Sequence, residues 1–173
     1  PAELSVGNPD LIFVRISAFG QTGPYSERPG FAAVAEAYGG FRELVGDPDR
    51  PPVRAGVSIG DSIAGLYGAF GAVMSLYAAL RRRPESSEPL PLDDRIIDVA
   101  LHEAIFSMME SLIPDVDAYG VRRERTGGRM QGIAPSNAYV CADGLSVVIS
   151  GNADGIFGRY MQAIDRPDLA GDP

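Results

Sequence analysis

Lysine is absent from this chain, and all 15 of its basic residues are arginines. The chain therefore has no lysine that could act as a catalytic nucleophile. Acidic residues outnumber basic ones by 23 to 15, which gives a formal net charge of −8. This balance argues against a general nucleic-acid-binding protein, which needs a basic surface. It leaves room for an anionic cofactor, because a few arginines and backbone N–H groups can hold one.

Cysteine and histidine each occur once. Cys141 has no partner for an internal disulfide, which predicts a reducing, cytoplasmic setting. Its strand-like surroundings, "AYVCADG", predict a buried thiol. His102 lies off the apolar stripe of a helical segment, so we expect a partly exposed helical histidine. The sequence has no zinc-ligand spacing, GxGxxG motif or P-loop, and we expect no metal site.

Hydrophobic residues make up 45% of the 173 residues, enough for a packed core. The pattern predicts an α/β fold that begins with a buried strand and a glycine-rich loop. Helical segments follow, and two late strands are joined by a tight Asp143–Gly144 turn. The predicted elements are a strand at Leu11–Ser17, helices at Phe31–Leu44 and near Ile63–Leu80, a short strand at "RIID", a helix at "VALHEAIFSMMESLI", strands in "SNAYVCADGLSVVISG", a helix at "ADGIFGRYMQAI" and the start of another at "RPDLAGDP".

The order of these elements predicts parts of two domains. Residues 1–83 are expected to form part of a Rossmann-like large domain. Residues 84–126 are expected to be a linker loop and helix, with the proline-rich stretch Pro84–Asp94 as a surface insertion. Residues 127–173 are expected to start a smaller α+β domain. The chain opens without methionine and ends within a predicted helix, so we expect it to be a section of a longer protein.

The uncharged run from Ile63 to Leu80, followed by three arginines, is long enough to span a membrane. Its many small residues favour a different interpretation. Gly65, Gly68 and Ala72 are spaced three and four apart, so they share a helix face that another backbone can approach closely. We therefore expect a fully buried helix of a soluble domain and no membrane.

Asp61 stands directly ahead of this run, in the stretch "GVSIGDSIAG". The local pattern predicts a helix N-cap, whose carboxylate accepts hydrogen bonds from the first free backbone N–H groups. An ionised carboxylate beside glycine N–H groups is also suited to nucleophilic attack, with the same N–H groups stabilising an oxyanion. The residues alone leave both interpretations open.

Several blocks, in order along nearly the whole chain, resemble the class III CoA-transferases, the group that includes formyl-CoA transferase and the carnitine and bile-acid CoA-transferases. The blocks are "NPDLIFVRISAFGQTGPYSERPGF", "PPVRAGVSIGDSIAGLYGAFGAVMSLYAALRRR", "IIDVALHEA" and "APSNAYVCADGLSVVISGNADGIFGRYMQAIDRPDLAGDP". The resemblance implies an α/β large domain, a smaller domain and two identical subunits interlocked like links of a chain. It implies that this chain is the middle section of such a protein, and that coenzyme A passes from an acyl-CoA donor to a carboxylic acid.

The family's catalytic aspartate falls on Asp61, which the resemblance implies forms an acyl anhydride and then an aspartyl-CoA thioester. Phe31 and Leu101 fall at positions next to the substrate and coenzyme A. Gly127 and Gly128 fall near the glycine-rich loop that covers the aspartate. Phe31 replaces a tyrosine of the formate-transferring member, so a different substrate is expected.

Two alternatives remain beside the transferase. The same fold serves α-methylacyl-CoA racemases, which pair this aspartate with a histidine at the position of Phe31, and a phenylalanine cannot accept a proton. The other alternative is a catalytically silent fragment in which Asp61 only caps its helix.

Overall fold

The structure, a computed structural model, describes residues 1–83 and 86–171. Pro84 and Glu85 of the predicted insertion, and the last two residues of the predicted C-terminal helix, lie outside the described residues. The chain divides into two compact units, the first formed by Pro1–Leu44 with Val53–Arg123 and the second by Val45–Pro52 with Glu124–Pro173. Helices and strands are mixed along the chain, which confirms the predicted α/β class.

Among the described residues, the first unit contains six α-helices, of which α4 is the longest, and two strands. In chain order they are α1 (Ala2–Gly7), β1 (Phe13–Ser17), α2 (Ala32–Tyr38), α3 (Phe41–Leu44), α4 (Ile59–Arg82), β2 (Ile96–Ala100), α5 (Leu101–Phe106) and α6 (Leu112–Tyr119), with the short 3₁₀ helix Asp93–Arg95 leading into β2. The second unit contains β3 (Ser136–Val140), β4 (Ser146–Ser150), α7 (Asp154–Ala163) and the 3₁₀ helix Pro167–Leu169.

β1 and β2 form a parallel pair, in register from Phe13 beside Ile96 to Ser17 beside Ala100. Parallel strands need a crossover connection, and α4 lies within it. The segment 84–126, predicted to be a linker, here supplies β2, α5 and α6 to the first unit. The division into domains at 1–83, 84–126 and 127–173 stays a prediction for the longer protein.

The core of the first unit is built from small side chains where α2, α4 and α5 meet β2. Its buried members are Ala35, Ala64, Val99, Leu101 and Ala104. Alanines at the contacts let three helices approach one another closely, because no long side chain separates their backbones. This cluster lies next to the first turns of α4.

α4 buries only one face, so the prediction of a fully buried helix is wrong for this chain. Its buried residues are Gly60, Ala64, Gly68 and Ser75, whereas Leu66 is 71% and Phe70 is 65% exposed. By length and composition alone the helix also meets the requirement for a membrane span, with a mean hydropathy of 1.6.

The small residues of α4 face the strands at short range. A Cβ added to Gly68 would lie 2.9 Å from Val14 Cγ1, and one added to Gly71 would lie 2.7 Å from Ile97 Cγ2. Gly65, which the spacing placed on this face, is different: a Cβ added there would meet nothing within 4 Å. The face that allows close approach therefore exists, but it is rotated from the predicted one.

Two predicted helices are broken in the structure. The predicted helix Phe31–Leu44 divides into α2 and α3 at Gly39–Gly40, where a Cβ on Gly39 would lie 2.9 Å from the His102 carbonyl oxygen. The helix predicted at "VALHEAIFSMMESLI" starts later and ends at Phe106, and α6 begins at Leu112. Glu110, between them, has a φ of 51°, a value incompatible with a continuous right-handed helix.

The second unit confirms the predicted hairpin. β3 and β4 pair antiparallel, and Gly144 adopts a φ of 83° in the turn. Asp143 accepts a hydrogen bond from the Leu145 backbone N–H at 3.0 Å, which holds the turn. Cys141 lies just after β3, at the hairpin end, and is exposed, so the prediction of a buried thiol is wrong.

Two glycine substitutions in α4 should change stability in opposite directions. Gly71→Ala should destabilise the full-length protein by about 1–3 kcal/mol, because its Cβ would overlap Ile97 and displace the helix. Gly65→Ala should stabilise it by up to about 1 kcal/mol, because alanine is the better helix former and has open space. Chemical denaturation followed by circular dichroism measures both changes, and equal changes in the two variants would contradict the packing described.

Candidate active site

Asp61 lies in the first turn of α4, at its third residue. The helix begins at Ile59 with Ser58 at the N-cap position, so the prediction that Asp61 is the N-cap is wrong. The helix begins four residues before Ile63, where the uncharged run starts. The Asp61 side chain is exposed, and within 1–83 and 86–171 it has no hydrogen-bond or ion-pair partner. Its carboxylate is therefore free to meet a ligand.

The surroundings of this carboxylate are electropositive. The first N–H groups of a helix have no partner inside it, and the helix dipole places positive potential there. Ser58 makes no side-chain capping bond to these groups. Its hydroxyl instead accepts a hydrogen bond from Arg54 Nη2 at 3.4 Å. An anion at this helix end therefore meets backbone donors and a guanidinium group.

The structure brings the segments of Phe31 and Asp61 together. Phe31 occupies the N-cap position of α2 and is 82% exposed. Its neighbour Ala32 packs on Gly60, since a Cβ on Gly60 would lie 3.2 Å from the Ala32 Cβ. The starts of α2 and α4 therefore adjoin, with an exposed aromatic ring on one and an exposed carboxylate on the other.

Leu101 lies close to the same place but inside the core. Its side chain is 7% exposed and belongs to the cluster that contains Ala35 and Ala64. It packs in the core under the first turns of α4 and is buried away from solvent. A contact between Leu101 and coenzyme A stays a prediction.

Gly127 and Gly128 belong to the second unit, where they form a tight turn. Gly127 has a φ of 65°, and its N–H donates to the Gly46 carbonyl oxygen at 3.0 Å. A Cβ on Gly128 would lie 2.7 Å from Asn137 Oδ1, so a larger residue would disturb this contact. The turn itself explains both glycines, and their predicted role over Asp61 stays a prediction.

The loop after β1 is held by two side chains that sequence reasoning did not assign to it. Asp98 Oδ2 accepts a hydrogen bond from the Gln21 backbone N–H at 2.8 Å. His102 Nδ1 lies 3.1 Å from the Ala18 carbonyl oxygen. A carbonyl can only accept, so Nδ1 must carry a proton. The loop was visible in the sequence, but these partners lie far along the chain and no local pattern indicates them.

A cavity of about 360 Å³ lies between α4, β2 and α5. Its walls are mainly apolar, with Tyr67 and Phe70 from α4 and the carboxylates of Asp98 and Glu103. The Tyr67 and Ser107 hydroxyl groups lie 2.8 Å apart at this cavity. Within the part of the chain that the structure describes, no group of three or more histidine, cysteine, aspartate or glutamate residues is placed to hold a metal ion.

Comparisons with known proteins show what this chain is similar to. The family model described as CoA-transferase family III matches residues 1–173. The chain is 46% identical over 171 residues to the succinyl-CoA–D-citramalate CoA-transferase of Chloroflexus aurantiacus, covering 99% of this chain and 40% of that protein. It is 39% identical over 169 residues to the beta subunit of a succinyl-CoA–L-malate CoA-transferase from the same organism, covering 96% of this chain and 40% of that protein.

Among solved structures, the chain is similar to a CAIB/BAIF family protein from Brucella suis. The TM-score is 0.75 at 31% identity, and the match covers 99% of this chain and 43% of that one. The chain thus spans about 40% of the length of the curated relatives it matches.

The hydrogen bond of His102 allows a test of its role in the loop. His102→Asn should retain most of the stability, because the asparagine amide nitrogen can occupy the position of Nδ1. His102→Gln should lose about 1 kcal/mol, because its amide lies one bond further out and the bond to Ala18 is lost. Denaturation measures both variants, and ¹⁵N NMR of the wild-type ring should show a protonated Nδ1. An unprotonated Nδ1 would contradict the assignment.

Proposed function

The chain belongs to CoA-transferase family III, and from this membership we propose that its protein transfers coenzyme A from an acyl-CoA donor to a carboxylic acid through Asp61. The observation that carries the proposal is the free Asp61 carboxylate in the first turn of α4. A nucleophile must be unpaired and reachable, and within the described residues this carboxylate is both. The activity belongs to the whole protein, of which this chain supplies the segment with the nucleophile.

The proposed reaction exchanges acyl groups through Asp61 in four steps. An Asp61 oxygen attacks the thioester carbonyl of the donor, giving a mixed anhydride and releasing coenzyme A as a thiolate. The thiolate attacks the carboxyl carbon of Asp61, which releases the donor acid and leaves an aspartyl-CoA thioester. The acceptor carboxylate attacks that carbon, giving a second anhydride and free thiolate. The thiolate then attacks the acceptor carbonyl, which forms the new acyl-CoA and restores the Asp61 carboxylate.

The first turn of α4 suits this chemistry electrostatically. The helix dipole and the free N–H groups attract the anionic nucleophile and the negative charge that develops on a carbonyl oxygen. Space is available as well, because a Cβ on Gly56 or Gly65 would meet nothing within 4 Å. A bulky thioester can therefore approach the start of α4 past the loop at Gly56 and along the helix face of Gly65.

The residues present favour transfer over the racemase alternative. A racemase needs a second group that accepts a proton, and the ring of Phe31 at the family's histidine position cannot do so. His102 uses Nδ1 to hold the Ala18 carbonyl, which gives it a structural role. The cap-only alternative fits poorly too, because Asp61 is not the N-cap and makes no capping bond in the described residues.

The remaining features of the proposal follow the family. Coenzyme A enters as the acyl-CoA substrate, with Phe31, Leu101, Gly127 and Gly128 as its proposed contacts and with no metal. The full-length protein is proposed to be a cytoplasmic, interlocked homodimer. Two relatives are named for succinyl-CoA donors and for the acceptors D-citramalate and L-malate. We extend this to propose that dicarboxylic acids serve as donor and acceptor here.

Asp61→Asn should abolish transfer in the full-length protein while leaving it folded. The expected loss in kcat is at least about 10³-fold, because an amide is not a nucleophile for this exchange. Asparagine is close in size, and the lost charge at the helix start costs only about 0.3–1 kcal/mol of stability. The measurement follows CoA transfer between an acyl-CoA and a free acid by liquid chromatography.

Asp154→Asn is the matched control, because Asp154 also lies in the first turn of a helix, α7. This variant should keep its activity if the effect at position 61 is chemical. Full transfer by the Asp61→Asn variant would reject Asp61 as the nucleophile and favour the silent, structural role.

A further inference from the structure

Arg54 is an exposed cation in the loop just before the helix start that carries the proposed nucleophile. In the described part of the chain its side chain makes one hydrogen bond, from Nη2 to Ser58 Oγ at 3.4 Å. Among residues 1–83 and 86–171, no carboxylate forms an ion pair with it. By contrast, Arg42 pairs with Glu36 at 2.7 Å and Arg123 with Glu110 at 2.9 Å. Most of the guanidinium donors of Arg54 are therefore free to bind a ligand.

Helix geometry places Ser58, the hydrogen-bond partner of Arg54, beside Asp61. Ser58 and Asp61 are three residues apart, so they are neighbours on one face of the first turn. Residues with this spacing have their Cβ atoms about 5–6 Å apart. Arg54 reaches Ser58 from the loop before the helix, which places its charge next to that turn. It does not form an ion pair with Asp61, so the carboxylate remains free for attack.

Charge also favours Arg54 as a group that holds an anionic substrate. The chain carries a net charge of −8, so an anionic substrate needs a local cation to be held near Asp61. The arginines 81–83 lie at the opposite end of α4, about 30 Å from Asp61 along the helix. The guanidinium group of Arg28 is already engaged, because its Cζ atom lies over the Tyr25 ring, 4.2 Å from the ring centroid.

We propose that Arg54 binds the second carboxylate of a dicarboxylic acyl group whose first carboxyl carbon reacts at Asp61. This inference rests on the proposed function and adds a residue that sets substrate class. A guanidinium group holds a carboxylate through two parallel hydrogen bonds, a geometry that a monocarboxylic acyl chain cannot use. Binding at both ends fixes the distance between the reacting carbonyl and the far carboxylate, which selects chain length as well as charge.

The test compares two donors of equal chain length in the full-length protein. Succinyl-CoA carries the second carboxylate, and butyryl-CoA has a methyl group in its place. In a ping-pong exchange the donor's kcat/KM depends only on the steps up to release of the first acid. One acceptor can therefore be used throughout, and its own carboxylates do not enter the comparison.

Arg54→Gln should lower kcat/KM for succinyl-CoA by about 10- to 100-fold, the value of a charge-assisted hydrogen bond, and leave butyryl-CoA unchanged. Arg54→Lys keeps the charge without the two-pronged geometry, so its preference for succinyl-CoA should be intermediate; it also serves if the glutamine variant does not fold. Arg81→Gln removes the same charge from the far end of α4 and should change neither donor.

Four outcomes would overturn the inference. An equal loss with both donors would show a structural role for Arg54, and no loss with either would show no role. If the wild-type protein uses butyryl-CoA as well as succinyl-CoA, the inference fails while the proposed function stands. If it transfers coenzyme A from neither donor, the proposed function fails together with the inference.

Discussion

The small-residue face of α4 lies so close to its neighbours that its glycines there have no room for a side chain. A Cβ on Gly60 would press on Ala32, one on Gly68 on Val14 and one on Gly71 on Ile97. These contacts hold the helix against α2 and against both strands of the parallel pair. They fix the position and direction of its first turn. They therefore also fix where Asp61 meets solvent and where Arg54 contacts Ser58.

Local features of the fold were predictable because they depend on residues that are close together in the sequence. The Asp143–Gly144 turn and the helix α7 follow from short patterns, and both were confirmed. The pairing of β1 with β2 was not predictable, because its partners are about eighty residues apart and nothing local marks them. The burial of α4 failed as a prediction for a related reason. Burial depends on what packs on a helix, and this chain spans about 40% of its relatives' length.

For the site, the sequence located Asp61 and the structure corrected its setting. The N-cap is Ser58 and not Asp61 as expected, and Asp61 lies in the first turn of the helix with no capping bond in the described residues. That correction separates two roles that the sequence had combined, because in the described residues the Asp61 carboxylate makes no capping bond and stabilises the helix only through its charge. Leu101 was expected to contact coenzyme A. Its side chain lies in the core, which its apolar character alone could not indicate, and the contact stays a prediction. Arg54 carried no local signal, because its role depends on contact with the helix start.

The central claim is that the Asp61 carboxylate forms covalent intermediates during CoA transfer. The direct measurement is to incubate the full-length protein with acyl-CoA, quench with hydroxylamine or borohydride, and map the modified residue by mass spectrometry. An activated aspartyl group reacts with either reagent, whereas a free carboxylate does not. The account predicts modification at Asp61 that requires acyl-CoA and is absent from the Asp61→Asn variant. An unmodified Asp61 under turnover conditions, or modification at another carboxylate, would contradict it.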